Sequence, residues 1–99
     1  MIEYLSGQEL EDVLTDDVTI VDFFAEWCGP CKMMGAELEE MKNVKIIKVN
    51  VDDHDELAQK HGVMSIPTVE IYKNKKQVDR FIGFKAKDEI EEIISALKD

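Results

Sequence analysis

No stretch of this 99-residue sequence approaches the ~20 consecutive apolar residues that a bilayer crossing requires, so no membrane association is expected. The opening Met1-Ile2-Glu3-Tyr4-Leu5-Ser6 has neither a basic segment nor a long apolar one, and a secretory signal is not expected. On that reading the protein stays in the cytoplasm where it is made. Positive charge is scarce: 12 Lys and Arg against 22 Asp and Glu leave a formal net charge of -10. Phosphate backbones are bound mainly through Lys and Arg that displace counterions, so nucleic acid is not expected as a partner. The charge serves solubility and biases docking towards partners with a basic patch. Cysteine is scarce too, and two residues in a reducing compartment cannot be the disulfide framework of a small secreted protein. Their spacing must mean chemistry or metal. The chain has no internal repeat, linker or low-complexity segment, and its length suits one hydrophobic core but not two, so residues 1–99 read as one soluble globular domain.

What is present alternates between strand and helix patterns. Ser6-Gly7-Gln8-Glu9 matches the S-x-x-E capping box, and Leu10, Val13 and Leu14 follow at helical spacing, which predicts a first helix from about Ser6 to Leu14. Val18 to Phe24 is a nearly continuous β-branched and aromatic run, as in a strand covered on both faces, yet it contains the carboxylate of Asp22. Lys32 to Met41 repeats apolar residues at helical intervals, and this helix starts near the cysteines with Pro30 tolerated in its first turn. Val44 to Val51 predicts a second buried strand, and Asp53 with Glu56 is the expected cap of a short helix that Gly62 ends. Thr68 to Tyr72 and Gln77 to Ile82 alternate around the polar turn Lys73 to Lys76, which predicts an antiparallel hairpin. Ile90, Ile93, Ile94 and Leu97 mark a last amphipathic helix lying on the sheet. The grammar is that of an α/β protein built from a βαβ unit.

The cysteines stand as Cys28-Gly29-Pro30-Cys31, and C-x-x-C alone serves zinc sites and redox sites alike. A structural zinc needs four ligands, and the sequence adds only His54 and His61, which are spaced too widely for the usual histidine pair, so no metal is expected. A purely structural disulfide across so short a span would close almost no loop and constrain the unfolded chain very little. Position favours a redox role: Cys28 follows a buried strand and opens a helix, where unpaired backbone N–H groups and the positive helix end stabilise a thiolate. Cys28 is then the nucleophile. Cys31, one turn deeper on the same face, is the thiol that resolves a mixed disulfide with substrate.

Val21-Asp22-Phe23-Phe24-Ala25-Glu26-Trp27-Cys28-Gly29-Pro30-Cys31-Lys32 resembles the active-site segment of the thioredoxin family, in which WCGPC is a highly specific word. Lys48-Val49-Asn50-Val51-Asp52 and Gly62-Val63-Met64-Ser65-Ile66-Pro67-Thr68 are similar to further thioredoxin segments in the same order, so the resemblance spans essentially the whole chain. It implies the thioredoxin fold, a central mixed β-sheet of about five strands flanked by about four helices. It also implies a monomeric thiol–disulfide oxidoreductase that needs no cofactor, reduces disulfide-containing proteins and is re-reduced by a thioredoxin reductase. Carried over by residue, it implies a cis Pro67 facing the cysteines, with the backbone of Ser65 and Ile66 pairing with substrate as an added strand. Trp27, Gly29, Pro30 and Gly83 are the further substrate contacts it implies. Asp22 is implied to move the proton to and from Cys31, with Lys48 as its neighbour. Elementary physics agrees on Asp22, because a carboxyl inside an apolar strand is costly unless its pKa rises.

Some positions depart from the family pattern. Ala36 stands where many thioredoxins have a helix-kinking proline, Lys75 replaces the glycine of an Asn-Gly turn, and Ala86 occupies a helix-capping position that would prefer Ser or Asp. Met64 and His61, near the substrate loop, bear on partner choice. An oxidase or isomerase is the alternative within the same chemistry, and Gly29-Pro30 argues against it, since oxidising relatives place a His before the second cysteine. A binding module with a redox switch is the alternative outside it, and replacing both cysteines separates the two classes.

Overall fold

The computed structural model describes residues 1–97. Along them the order is β1 (Ile2–Tyr4), α1 (Leu10–Val13), β2 (Val18–Phe24), α2 (Gly29–Glu39), β3 (Lys45–Asn50), α3 (Asp55–Lys60), β4 (Thr68–Lys73), β5 (Lys76–Ile82) and α4 (Lys87–Leu97). The strands form one mixed sheet in the order β1-β3-β2-β4-β5, with β3 parallel to β1 and β2, and β4 antiparallel to β2 and β5. This is the expected mixed sheet of five strands flanked by four helices.

Every residue of β2 is buried, because β3 and β4 flank it and helices cover both of its faces. The pleat divides its side chains between two cores. Val18 and Ile20 join Ile46 and Ile71 beneath Met34 and Leu38 of α2 and Ile90 and Ile94 of α4. Val21 and Phe23 join Ile47 and Val49 on the other face, against Leu10, Leu14 and Ala58. Asp22 and Lys48 are register partners across β2 and β3, so they share a face.

Several local expectations are corrected. The three-residue β1 was not read from the sequence; it pairs with β3 through Ile2, Glu3 and Tyr4. Ser6 does not cap a helix: its amide and hydroxyl both bond to Gln8 Oε1, at 2.8 and 3.1 Å, and α1 is confined to Leu10–Val13. With Ser6 satisfied locally, a turn replaces the expected first helical residues. Asp53 does not cap α3 either. The residue at that position is His54, with no side-chain cap, and Asp55 and Glu56 sit in the first turn, where their charge favours the helix dipole. Gly62 does end α3, at φ +67, through bonds from its own amide to Gln59 O and from Val63 N–H to Ala58 O, a Schellman turn. α2 runs unbroken through Gly35 and Ala36. In the hairpin, Asn74 and Lys75 both adopt positive φ, 53° and 65°, so Lys75 accepts a backbone conformation that glycine takes at no steric cost. Ala86 cannot cap α4 with its side chain; Glu89 Oε1 accepts from the Ala86 amide, and Glu37 of α2 accepts from Lys87 N–H at 2.7 Å.

Candidate active site

β2, the central strand, brings the chain to one end of the sheet at Phe24, and a short turn through Glu26 and Trp27 leads to Cys28, the N-cap of α2. Pro30 lies in the first helical turn, where its missing N–H costs nothing. Cys28 and Cys31 form a disulfide, with Cα atoms 5.2 Å apart. The Cys31 amide donates to Cys28 Sγ at 3.2 Å. That sulfur therefore occupies the position of a helix cap, where backbone donors and the helix dipole favour negative charge once the disulfide is opened. Cys31 lies deeper: it is 2% exposed against 6% for Cys28, and both pack with Phe24 and Ala25 in a small apolar cluster.

Facing Cys28 is the segment between α3 and β4. The Ile66–Pro67 peptide is cis, and the Ile66 carbonyl oxygen is 3.8 Å from Cys28 Sγ. Thr68 Oγ1 donates to Ser65 O at 2.6 Å, and Gly83 N–H donates to Pro67 O at 2.8 Å, so the segment is tied to the ends of β4 and β5. Trp27, Val63, Met64, Ser65 and Ile66 line a groove of about 370 Å³ beside the cysteines. Trp27 is 71% exposed and Met64 92%, so apolar surface lies open beside the cysteines. The indole N–H of Trp27 donates to Asp52 Oδ2 at 2.9 Å, which fixes the ring's orientation.

Asp22 sits in the middle of β2, fully buried, and neither carboxylate oxygen has a hydrogen-bond partner among the described residues. Lys48 Nζ is 3.5 Å from Oδ2. Burial pushes the Asp22 carboxyl from an ordinary 3.8 up to about 6, although the neighbouring ammonium pulls the other way. The same ammonium lies 4.5 Å from the centre of the Phe24 ring. Lys48 reaches this position past α2 at Gly35, where an added Cβ would come within 3.0 Å of Nζ. Lys48, Gly35 and Cys31 line a second groove, so the ammonium of the pair and the deeper cysteine open onto common space, with Asp22 buried behind Lys48.

The structure thus gathers Trp27, Cys28, Gly29, Pro30, Cys31, Ser65, Ile66, Pro67 and Gly83 at one end of the sheet, with Asp22 and Lys48 behind them. His54 and His61 lie elsewhere, His54 Nε2 on Leu5 O and His61 Nδ1 on Glu70 Oε1, each at 2.9 Å. Among the described residues no group of three His, Cys, Asp or Glu could hold a metal ion, and no helix is long and apolar enough to cross a membrane. Two features escaped the sequence reading. Asp52 was seen only as part of a similar segment, and its bond to the indole has no local signal. Glu70 was placed on an alternating hairpin strand, yet it is fully buried, because α1 and α3 cover the face of β4 that it shares with Tyr72.

A pair of sulfurs that closes a disulfide within one helical turn can take two electrons from another dithiol or give them to another disulfide, and no further group is needed for the exchange. The class so defined is a thiol–disulfide oxidoreductase. The family profile described as Thioredoxin matches residues 2–96. Thioredoxin from Chlamydia caviae is 42% identical over 99 residues, covering 96% of this chain and 97% of the relative. Thioredoxin from Bacillus subtilis is also 42% identical, covering 91% of each chain. Among solved structures, chloroplastic thioredoxin z superposes with a TM-score of 0.86 at 36% identity, covering 97% of this chain and 93% of the other. A mutant thioredoxin from Halobacterium salinarum gives 0.89 at 33%, covering 99% and 91%. The chain belongs to the thioredoxin family.

Proposed function

We propose that this oxidoreductase works in the reducing direction, transferring electrons to disulfide-containing proteins in the cytoplasm as a monomer and being re-reduced by a thioredoxin reductase. One observation carries the reading: the two sulfurs are unequally placed, Cys28 at the mouth of α2 and Cys31 enclosed behind it. In the reduced protein the Cys28 thiolate attacks one sulfur of a substrate disulfide. A Cys28–substrate bond forms, the substrate S–S bond breaks, and the first substrate thiolate leaves. Cys31 then loses its proton and attacks Cys28 Sγ, the mixed disulfide breaks, and the second substrate thiolate leaves. The substrate has gained two electrons and the chain has the Cys28–Cys31 disulfide. Asp22 accepts the Cys31 proton in this scheme: a carboxyl pushed up to about 6 can take a proton and release it again near neutral pH. Lys48 keeps the ionised form tolerable. The backbone of Ser65 and Ile66 pairs with the substrate strand, Pro67 and Gly83 shape that edge, and Trp27, Gly29 and Pro30 make the remaining contacts.

The test is substitution of the enclosed thiol. Cys31→Ser should accumulate covalent mixed disulfides with protein substrates through Cys28, since nothing is left to resolve them, and reducing-agent-sensitive adducts on a gel report them. Absence of adducts, or adducts through Cys31 in a Cys28→Ser protein, would reverse the assigned roles.

A further inference from the structure

The face of the sheet opposite Asp22 contains a second buried polar cluster that the exchange reaction does not use. Glu70 of β4 is fully buried. Its Oε1 accepts the Tyr72 hydroxyl at 2.7 Å and faces His61 Nδ1 at 2.9 Å, and its Oε2 is 3.5 Å from Arg80 Nη1. Glu70 and Arg80 are register partners across β4 and β5, so the pair is held by the ladder itself. Arg80 then reaches past Glu70: Nη1 donates to His61 O at 2.7 Å and Nη2 to Gly62 O at 3.0 Å. These are two carbonyls at the end of α3 that the Schellman turn leaves without a helical donor. A guanidinium is suited to this, being a planar fork that binds two adjacent acceptors, and its charge opposes the negative end of the helix.

Residue 61 is therefore gripped twice, by its ring on Glu70 and by its carbonyl on Arg80. The next few residues are Val63, Met64, Ser65 and Ile66, and the far end is tied by Thr68 and Gly83. Between the two anchors Met64 is almost wholly exposed. We propose that buried Glu70 and half-buried Arg80 form a clamp that positions the Met64–Pro67 segment over Cys28 and so sets how tightly a protein disulfide docks, without touching the substrate or the cysteines. The proposal rests on the reading of Ser65 and Ile66 as the substrate-pairing backbone. Glu70 and Arg80 are positioning residues, and their effect belongs in KM for a chain that uses the segment. A small disulfide that reaches only Cys28 gains nothing from it.

The experiment compares dithiothreitol-driven reduction of insulin and of glutathione disulfide by the full chain and by Glu70→Gln, Arg80→Met, Arg80→Lys, Tyr72→Phe and Met64→Lys. In Glu70→Gln and Arg80→Met, KM for insulin should rise about fivefold with kcat held within about twofold. The rate with glutathione disulfide and the redox equilibrium with glutathione should keep their wild-type values. Arg80→Lys should recover part of the loss, and Tyr72→Phe, which removes a Glu70 partner remote from the segment, should leave KM unchanged. If Met64→Lys raises KM but neither clamp variant does, the clamp is overturned while the segment remains a docking strand. If Met64→Lys also has no effect, the docking reading falls with it. A parallel loss with glutathione disulfide would also overturn the clamp, by placing the effect at the cysteines. Should Glu70→Gln or Arg80→Met fail to fold, amide hydrogen exchange in Arg80→Lys decides. Faster exchange at Val63 and Ile66 with global protection intact supports the clamp, and unchanged exchange there refutes it.

Discussion

Two carboxylates are buried on opposite faces of the same sheet, and their surroundings differ in almost every respect. Asp22, on the α2 and α4 side, has one ammonium at 3.5 Å and no hydrogen bond. Glu70, on the α1 and α3 side, has a phenol, an imidazole and a guanidinium within 3.5 Å. Both are fully enclosed, so burial alone does not distinguish them. The difference lies in how completely the charge is met. The under-partnered carboxyl of Asp22 is pushed up by burial and can exchange a proton, whereas the well-partnered Glu70 ties its neighbours together. The cluster around Glu70 also leaves its mark on Tyr72, whose hydroxyl is pushed above its usual range by burial and by the adjacent carboxylate.

Removing each carboxylate in turn should break the contrast in opposite directions. The largest effect is expected from Glu70→Ala, which strands Arg80, His61 and Tyr72 and should lower stability by about 3 kcal/mol. That is the low end for a broken buried pair, because Arg80 is partly solvated. A fall in the urea midpoint measures it, and an unchanged midpoint would show that the cluster is no more than a solvated surface pair.

Asp22→Asn should do the reverse. The folded carboxyl titrates at about 6 and the ordinary value is 3.8. Between those values the folded state binds more protons than the unfolded one, so stability falls as pH rises through that window and is level above it. A difference of about two pH units corresponds to roughly 3 kcal/mol. The substitution should therefore raise the urea midpoint at pH 7 by an amount approaching that figure and change it little at pH 3. Resolution of the mixed disulfide by Cys31 should meanwhile slow about a hundredfold, as for a lost general base. A lower midpoint at pH 7, or an unaffected resolution rate, would place Asp22 with Glu70 as a structural group. The smallest effect sharpens the contrast: Tyr72→Phe deletes one hydrogen bond from a carboxylate with others to spare and should cost about 1 kcal/mol in the same unfolding measurement.

How much of this was legible in the sequence follows from which signals are local. β2 and β3 announced themselves by unbroken β-branched runs, α2 and α4 by helical periodicity, and Cys28, Cys31 and Asp22 by their position relative to those elements. β1 did not, since three residues carry no periodicity and its pairing with β3 is wholly non-local. Ser6 imitated a helix cap because the pattern of residue types cannot show that Gln8 takes its donors first. Glu70 was hidden for a third reason: alternation in Thr68 to Tyr72 is what a half-solvated strand and a doubly covered strand with a satisfied charge both look like. Only the register that sets Arg80 opposite Glu70 separates them.

The depth of Cys31 bears on which molecules can exchange electrons with the pair. With Cys31 nearly enclosed and only the edge of Cys28 accessible, a small thiol drifting past would have little to collide with. A protein that lays a strand along the groove brings its own sulfur to Cys28. On the proposed function, burial would act as insulation around a conductor, favouring electron passage where a docked partner makes the contact.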